Sequence, residues 1–278
     1  MKFDFAKMHG AGNDFVLFDD RDGRVPSQDH FVLAAMSARR TGIGCEGVIL
    51  IQSSSRADFR TRFFNPDGVE VEMCGNGARC AAAFAHSIGA AGRSMTMETQ
   101  CGVMDAELTA NGVCVWMPEP GKRQYNLELT IGGRAIRGHS INTGVPHFVV
   151  PVKEVGRVKV EKLGRELRLH PAFSPEGTNV DFVTLRPPDR MSMRTFERGV
   201  EAESGACGTG AVACVVVAVE TGGLTLPVRV GTSTGYELVV DGDWRGGQCT
   251  GLRLSGPAKE VFRGAIDLDA LTMGDERE

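Results

Sequence analysis

Cys74-Gly75-Asn76-Gly77-Ala78 and Cys207-Gly208-Thr209-Gly210-Ala211 are two copies of one pattern, 133 residues apart in a chain of 278. Each copy runs into a stretch of small apolar residues. From Ala78 to Ala91 the apolar positions cover nearly all sides of a helix, which marks a buried one. The stretch Ala211 to Val219 is rich in valine and would suit a strand on propensity alone. Its opening matches the alanine-rich copy, so a helix is expected there too. The same offset of 133 aligns Phe15-Val16 with Phe148-Val149 and Phe63 with Phe196, and sets Asp14 opposite His147. The chain therefore reads as two pseudo-symmetric lobes, 1–119 and 120–261, with 262–278 returning to the first. Pro118-Glu119-Pro120-Gly121 is the expected linker.

Between the copies, short alternating stretches dominate: Phe59 to Phe63, Ser94 to Glu98, Leu127 to Ile131, Val228 to Val230 and Leu252 to Leu254. Alternation of this kind marks half-buried strands of antiparallel sheets. Pro66-Asp67-Gly68, Asn111-Gly112 and Asp241-Gly242 read as turns between strands. A further helix is expected from Pro26-Ser27, capped by Ser27 and burying Phe31, Val32 and Ala35. The fold class is α/β in the α+β sense: each lobe is a curled, mainly antiparallel sheet around one hydrophobic helix.

A composition of 42% hydrophobic and 24% charged residues is that of an ordinary globular chain. The 36 glycines favour tight turns and short strands. A net charge of −4 gives no electrostatic case for nucleic acid or an anionic membrane. No apolar run reaches the ~18 residues of a bilayer span, and MKFDFAKMHG lacks the apolar core of a signal peptide. The eight cysteines contain no CxxC pair, which argues against a zinc ribbon. A cytoplasmic setting with free thiols is expected, with a small-molecule partner.

A single cysteine at an apolar segment is usually a small core residue, and Cys80, Cys114, Cys214 and Cys249 are read that way. Duplication of the whole pattern sets Cys74 and Cys207 apart. A helix start lowers a thiol's pKa, and its unpaired N–H groups bind anions. Two such starts suit a site between the lobes, where they would hold one carboxylate and stabilise charge building on the adjacent carbon. One thiolate would remove the α-proton and the other thiol would protonate the opposite face. Rival motifs fit less well. Gly208-x-Gly210-x-x-Ala213 follows no buried strand, as a dinucleotide fingerprint would. In a phosphate-binding cysteine loop Arg79 would stand one residue further on. A Cys/His hydrolase with His147 as base leaves the second cysteine unexplained.

Met8-His9-Gly10-Ala11-Gly12-Asn13-Asp14-Phe15, Phe64-Asn65-Pro66-Asp67-Gly68, Met73-Cys74-Gly75-Asn76-Gly77-Ala78-Arg79-Cys80, Pro146-His147, Thr178-Asn179-Val180, Glu197-Arg198-Gly199 and Glu203 to Gly210 resemble the diaminopimelate epimerase family in order and spacing. The likeness runs from residue 3 to about 264. It implies a two-lobed fold with the site in the cleft, and interconversion of LL- and meso-diaminopimelate without cofactor or metal, feeding lysine and cell-wall precursors. It implies Cys74 and Cys207 as the two bases, assisted by His147 and Glu197. Gly75, Asn76, Gly208 and Thr209 would hold the reacting end; Asn13, Asn65, Asn179 and Arg198 would bind the rest. A homodimer is compatible with it. Two positions depart from the pattern: Gly47 stands where a glutamine is familiar and Val145 where a substrate-binding asparagine is. These departures keep a racemase of another amino acid, such as glutamate or histidine, as the first alternative. The hydrolase and a non-catalytic amino-acid-binding protein follow.

Overall fold

A computed structural model describes residues 1–72 and 74–271. Met73, quoted in the cysteine motif, and 272–278, part of the returning segment, lie outside the described residues. The chain divides into two compact units: 1–115 with the chain from 257 onward, and 116–256.

The first unit is a mixed α+β unit built on a mainly antiparallel sheet. Its strands are β1 (Lys2–Gly10), β2 (Asn13–Asp19), β3 (Val48–Gln52), β4 (Phe59–Phe64), β5 (Glu70–Val71), β6 (Ser94–Thr99), β7 (Gly102–Thr109) and β8 (Gly112–Trp116). Helix α1 (His30–Ser37) lies between β2 and β3 in sequence, and α2 (Gly75–Ser87) between β5 and β6. The second unit repeats this order with β9 (Arg123–Ile131), β10 (Arg134–Asn142), β11 (Pro146–Pro151), β12 (Asn179–Arg186), β13 (Arg190–Glu197), β14 (Ala202–Ser204), β15 (Val228–Gly231), β16 (Glu237–Arg245) and β17 (Gln248–Gly256). Its helices are α3 (Val160–Arg168) and α4 (Gly208–Glu220). The last strand, β18 (Lys259–Asp267), pairs antiparallel with β1, as β9 pairs with β10.

The offset of 133 carries α2 onto α4 end to end. It also carries β2 onto β11, and the parallel pairing of Val16 with Val48 onto that of Val149 with Asp181. In each unit the remaining parallel pair is β4 with β6, or β13 with β15.

Both repeat helices are buried because their residues are small. α2 touches β1 to β4 and also β7, and α4 touches β10 to β12 and also β16 and β17, so each sheet curls about its helix. The central strands are buried on both faces: Phe15 to Phe18 in β2, Val48 to Ile51 in β3 and Val180 to Val183 in β12. Phe3, Phe5, Phe18, Leu33, Met36 and Phe64 form one core cluster in the first unit. Phe148, Phe182, Phe196, Val160 and Leu167 are among its counterparts in the second. Each such side chain contributes about 1.5–3 kcal/mol on burial.

The expected strands and both repeat helices are present. Three local expectations are corrected. The first helix starts at His30, capped by Asp29, whose side chain accepts from the N–H groups of Phe31 and Val32. Ser27 is taken by Arg62, which donates to its hydroxyl at 2.6 Å. The buried face of α1 is Leu33 and Met36, while Phe31 is 72% exposed. Finally, Asp241-Gly242 lies inside β16 as a register shift rather than a turn.

Candidate active site

Cys74 and Cys207 occupy the same local structure. Each is the N-cap of its helix, extended in φ and ψ, with Sγ accepting the N–H of the third residue on: Gly77 and Gly210, both at 3.4 Å. Glycine at these two places is a packing requirement. A Cβ on Gly77 would lie 3.0 Å from the Phe63 ring, and one on Gly210 would lie 2.5 Å from Asp181 Oδ1 and 3.2 Å from Cys207 Sγ. Gly75, Asn76, Gly208 and Thr209 form the buried first turns.

Around Cys207 the polar groups form a chain. His147, fully buried on β11, meets Asp181 Oδ2 at 2.7 Å through Nδ1 and Thr209 Oγ1 at 3.0 Å through Nε2. Thr209 Oγ1 in turn lies 3.5 Å from Cys207 Sγ. A carboxylate only accepts, so Nδ1 carries the hydrogen, and the Nε2 of a neutral ring accepts from the Thr209 hydroxyl. That hydroxyl oxygen is then free to accept from the thiol. Thr195 donates to the other oxygen of Asp181 at 2.7 Å, which fixes the carboxylate. Burial pushes the Cys207 thiol well up, and the charges of Glu197 and Asp181 add to this; the N–H that Gly210 donates to the sulfur pulls the other way and loses. The expectation that a helix start lowers both thiols therefore fails at Cys207, because desolvation and two nearby carboxylates outweigh it.

Around Cys74 the chain has a different chemistry. Arg79, one turn into α2, is fully buried and donates to Gly75 O at 3.1 Å and Asn76 Oδ1 at 2.7 Å. A guanidinium only donates, so Asn76 must show it oxygen and turn its NH2 outward. That NH2 donates to Asn13 Oδ1 at 3.2 Å. The same Asn13 oxygen lies 3.9 Å from Cys74 Sγ, and the Asn13 NH2 donates to Glu46. One arginine thus sets the orientation of two amides.

The remaining expected residues sit as follows. Asn179, at the start of β12, donates to Pro146 O at 3.1 Å and accepts the N–H of Arg198 at 2.8 Å. The Arg198 guanidinium donates to Glu176 O at 3.5 Å and has no carboxylate within ion-pair distance among the described residues. Glu197 ends β13. Asn65 closes the turn after β4, its N–H donating to Val69 O and its carbonyl accepting from Gly68. Gly47 is hemmed in: a Cβ there would lie 3.0 Å from Phe64 O and 3.2 Å from the Phe15 ring, so no larger residue fits without a shift.

The structure brings Cys207, Thr209 and His147 together, and Cys74, Asn76 and Asn13 together. Asp181, Thr195, Glu46 and Arg79 join these groups, and none of the four is among the site residues expected from the sequence. A signal existed for two of them. Asp181 interrupts the apolar run Val180 to Val183, and Arg79 interrupts an alanine-rich helix. A charge in either setting must find a partner.

The family model described as diaminopimelate epimerase matches residues 5–122 and 139–246. A diaminopimelate epimerase of Aquifex aeolicus is 43% identical over 96% of this chain and 99% of its own length. One from Chlorobaculum tepidum is 39% identical over 94% and 100%. The chain belongs to the diaminopimelate epimerase family. Solved structures extend the fold beyond it. A hydroxyproline epimerase of Agrobacterium vitis superposes with a TM-score of 0.76 at 17% identity, covering 96% of this chain and 93% of that one. A Bacillus anthracis protein of the PhzF phenazine-biosynthesis family gives 0.73 at 17% identity, covering 96% and 99%. The chain thus shares its fold with an epimerase named for another substrate. Among the described residues, no helix of this member is long and apolar enough to cross a membrane.

Proposed function

We propose that the chain is an isomerase that interconverts LL- and meso-diaminopimelate by two-base proton transfer at the α-carbon. The observation that carries this is the duplicated cap: in each unit a cysteine sulfur sits at a helix start over a glycine-rich turn, within a family named for this epimerisation. One thiolate takes the α-proton. The other thiol delivers a proton to the opposite face, and the configuration inverts. The α-carboxylate is held by the first-turn N–H groups around Gly75, Asn76, Gly208 and Thr209, whose positive ends also stabilise the carbanion-like transition state. This chain's residues supply both proton transfers, so the mechanism draws on no cofactor.

His147 and Asp181 direct the proton of Cys207 through Thr209, and Glu197 bears on the same thiol. Arg198 receives the distal carboxylate with Asn65, its planar fork matching two oxygens. Asn179 keeps one donor and one lone pair for substrate while it holds the Arg198 backbone. Asn13 binds beside Cys74. We place the activity in the cytoplasm, supplying lysine and cell-wall precursors, in keeping with eight free cysteines.

The test is incubation with LL-diaminopimelate in deuterated water. Loss of the α-proton signal by NMR and appearance of the meso form on chiral separation are expected. Exchange absent with diaminopimelate but present with another member of an amino-acid panel, glutamate and histidine included, assigns the site to that substrate. No exchange with any of them rejects the epimerase reading.

A further inference from the structure

Glu201 is in a backbone conformation that its side chain does not favour. Its φ is +57°, a value that only Ala11 and Asn126 approach among the described residues other than glycine. The left-handed region costs free energy for a residue with a Cβ, and glycine or asparagine takes it most readily. Such a residue persists only where its surroundings fix it. Glu201 ends the four-residue loop between β13 and β14, because Glu197 pairs with Ala202 across that hairpin. The loop carries Arg198. The Glu201 N–H donates to Glu197 O at 2.9 Å and closes the loop. Its carboxylate folds back, and Oε1 accepts the Gly199 N–H at 3.1 Å and Arg168 Nε at 2.7 Å. Its carbonyl accepts from the Arg165 guanidinium at 3.0 Å.

Both arginines belong to α3, which packs against β12, β13 and β14. The helix lies close to β13: a Cβ on Gly164 would come within 2.4 Å of Phe196 Cβ. Arg165 lies over the Phe196 ring at 5.4 Å, and Glu161 accepts the Glu203 N–H of β14 at 2.8 Å. Arg168 also reaches the other segment that holds Arg198. Gly177, at φ +71°, leaves no room for a side chain, since a Cβ there would lie 2.3 Å from Arg168 Nη1. The residue before it, Glu176, offers its carbonyl to the Arg198 guanidinium at 3.5 Å. Two residues after it, Asn179 accepts the Arg198 N–H at 2.8 Å. One guanidinium thus touches both stretches of chain that fix Arg198. The Glu201 side chain is 39% exposed, and an ion pair so open to water adds little stability. What the pair supplies is geometry.

We infer that Glu201 and Arg168 form a brace, footed on α3, that aims Arg198 at the distal carboxylate of the substrate. This rests on the reading of Arg198 given above and names what holds that side chain in place. Glu201 and Arg168 are positioning residues that act through Arg198. Glu197 depends on the brace less, because it stands in the β13–β14 ladder opposite Ala202. Loss of the brace therefore weakens the grip on the distal end and spares the proton transfer.

The experiment joins steady-state kinetics on diaminopimelate to hydrogen exchange of the substrate-free protein, for wild type, Arg168→Met, Arg168→Lys and Glu201→Gly. Methionine keeps an apolar stem beside Gly177 and removes the charge. Glycine accepts the positive φ and removes the carboxylate, so Glu201→Gly should melt close to wild type. Arg168→Met and Glu201→Gly should each raise KM about tenfold, the low end for a charged hydrogen bond. Binding lost equally from ground state and transition state leaves kcat nearly unchanged. Arg168→Lys should recover most of the affinity. Peptides spanning 197–202 should exchange faster in Arg168→Met and Glu201→Gly, and those of β12 and α4 should not. A merely structural role would lower the melting temperature of Arg168→Met and leave KM alone. A KM within about twofold of wild type in Arg168→Met overturns the inference, as does a fall in kcat with KM unmoved. Unchanged exchange over 197–202 overturns it too. If the wild-type protein does not turn over diaminopimelate, the epimerase reading fails by itself, and the exchange comparison alone decides whether the brace holds the loop.

Discussion

At the scale of single residues, function rests on side chains whose partners are fixed by what they can donate or accept. Asp181 is the clearest case. It holds a hydrogen on Nδ1 of His147, which leaves Nε2 to accept from Thr209 and sets the direction of the chain from Cys207. In Asp181→Asn the amide NH2 can face Nδ1 and reverse the tautomer, breaking that direction. We expect kcat to fall by about 10²-fold, the low end for a lost acid–base group, with KM changed little and near-native circular dichroism. A kcat within twofold of wild type would remove His147 from proton transfer. Arg198→Lys tests specificity instead. It keeps the charge and loses the fork, and should cost about 2 kcal/mol in kcat/KM; unchanged steady-state efficiency would place the distal carboxylate elsewhere. The cysteine pair was legible in the sequence because its motif is duplicated. The contacts of Asp181 and Arg79 were not, because their partners are ones that only the fold brings near.

At the scale of elements, the two central helices were legible from their openings, even though the valines of α4 favour a strand in isolation. Burial on all sides overrides that propensity. The start of α1 was misplaced for the converse reason. Ser27 is a good cap in isolation, but Arg62 takes its hydroxyl and Asp29 caps two residues later than expected. The caps of α2 and α4 expose a cost. Cysteine is a weak acceptor at 3.4 Å, whereas serine is among the best N-caps. In Cys207→Ser the smaller hydroxyl still reaches toward the same N–H. We therefore expect a melting temperature equal to or slightly above wild type, with epimerisation collapsing because the alcohol is a poor base at neutral pH. Stability and activity should part in one substitution. Full activity in that variant would end the two-base mechanism, and a large loss of stability would show that the sulfur's packing outweighs its capping.

At the scale of the whole molecule, the repeat preserves topology while its two copies diverge in chemistry. Asp14 and His147 occupy matching positions on β2 and β11, yet Asp14 serves an ion-pair cluster and His147 a buried proton chain. Burial alone would raise Asp14, but Lys7 and Arg39 outweigh it and hold its carboxyl below the usual range. Arg62 does the same for Glu70 and Arg21 for Asp19. These depressed carboxylates all lie in the first unit. A group whose folded pKa is depressed contributes stability above its unfolded pKa, and loses it as pH falls through the folded one. Unfolded carboxylates titrate near 4, so the loss begins just above that value and deepens below it. Acid should therefore loosen the first unit before the second. Hydrogen exchange read by mass spectrometry at steps from roughly pH 6 to pH 3, corrected for intrinsic rates, is the measurement. Peptides covering β1, β2, β4 and β5 should lose protection at higher pH than those covering β11 to β13 and α4. Asp14→Asn should narrow the gap, since an amide cannot lose charge. Equal loss in both units, or loss beginning in the second, would show that these ion pairs do not set the acid limit of the fold.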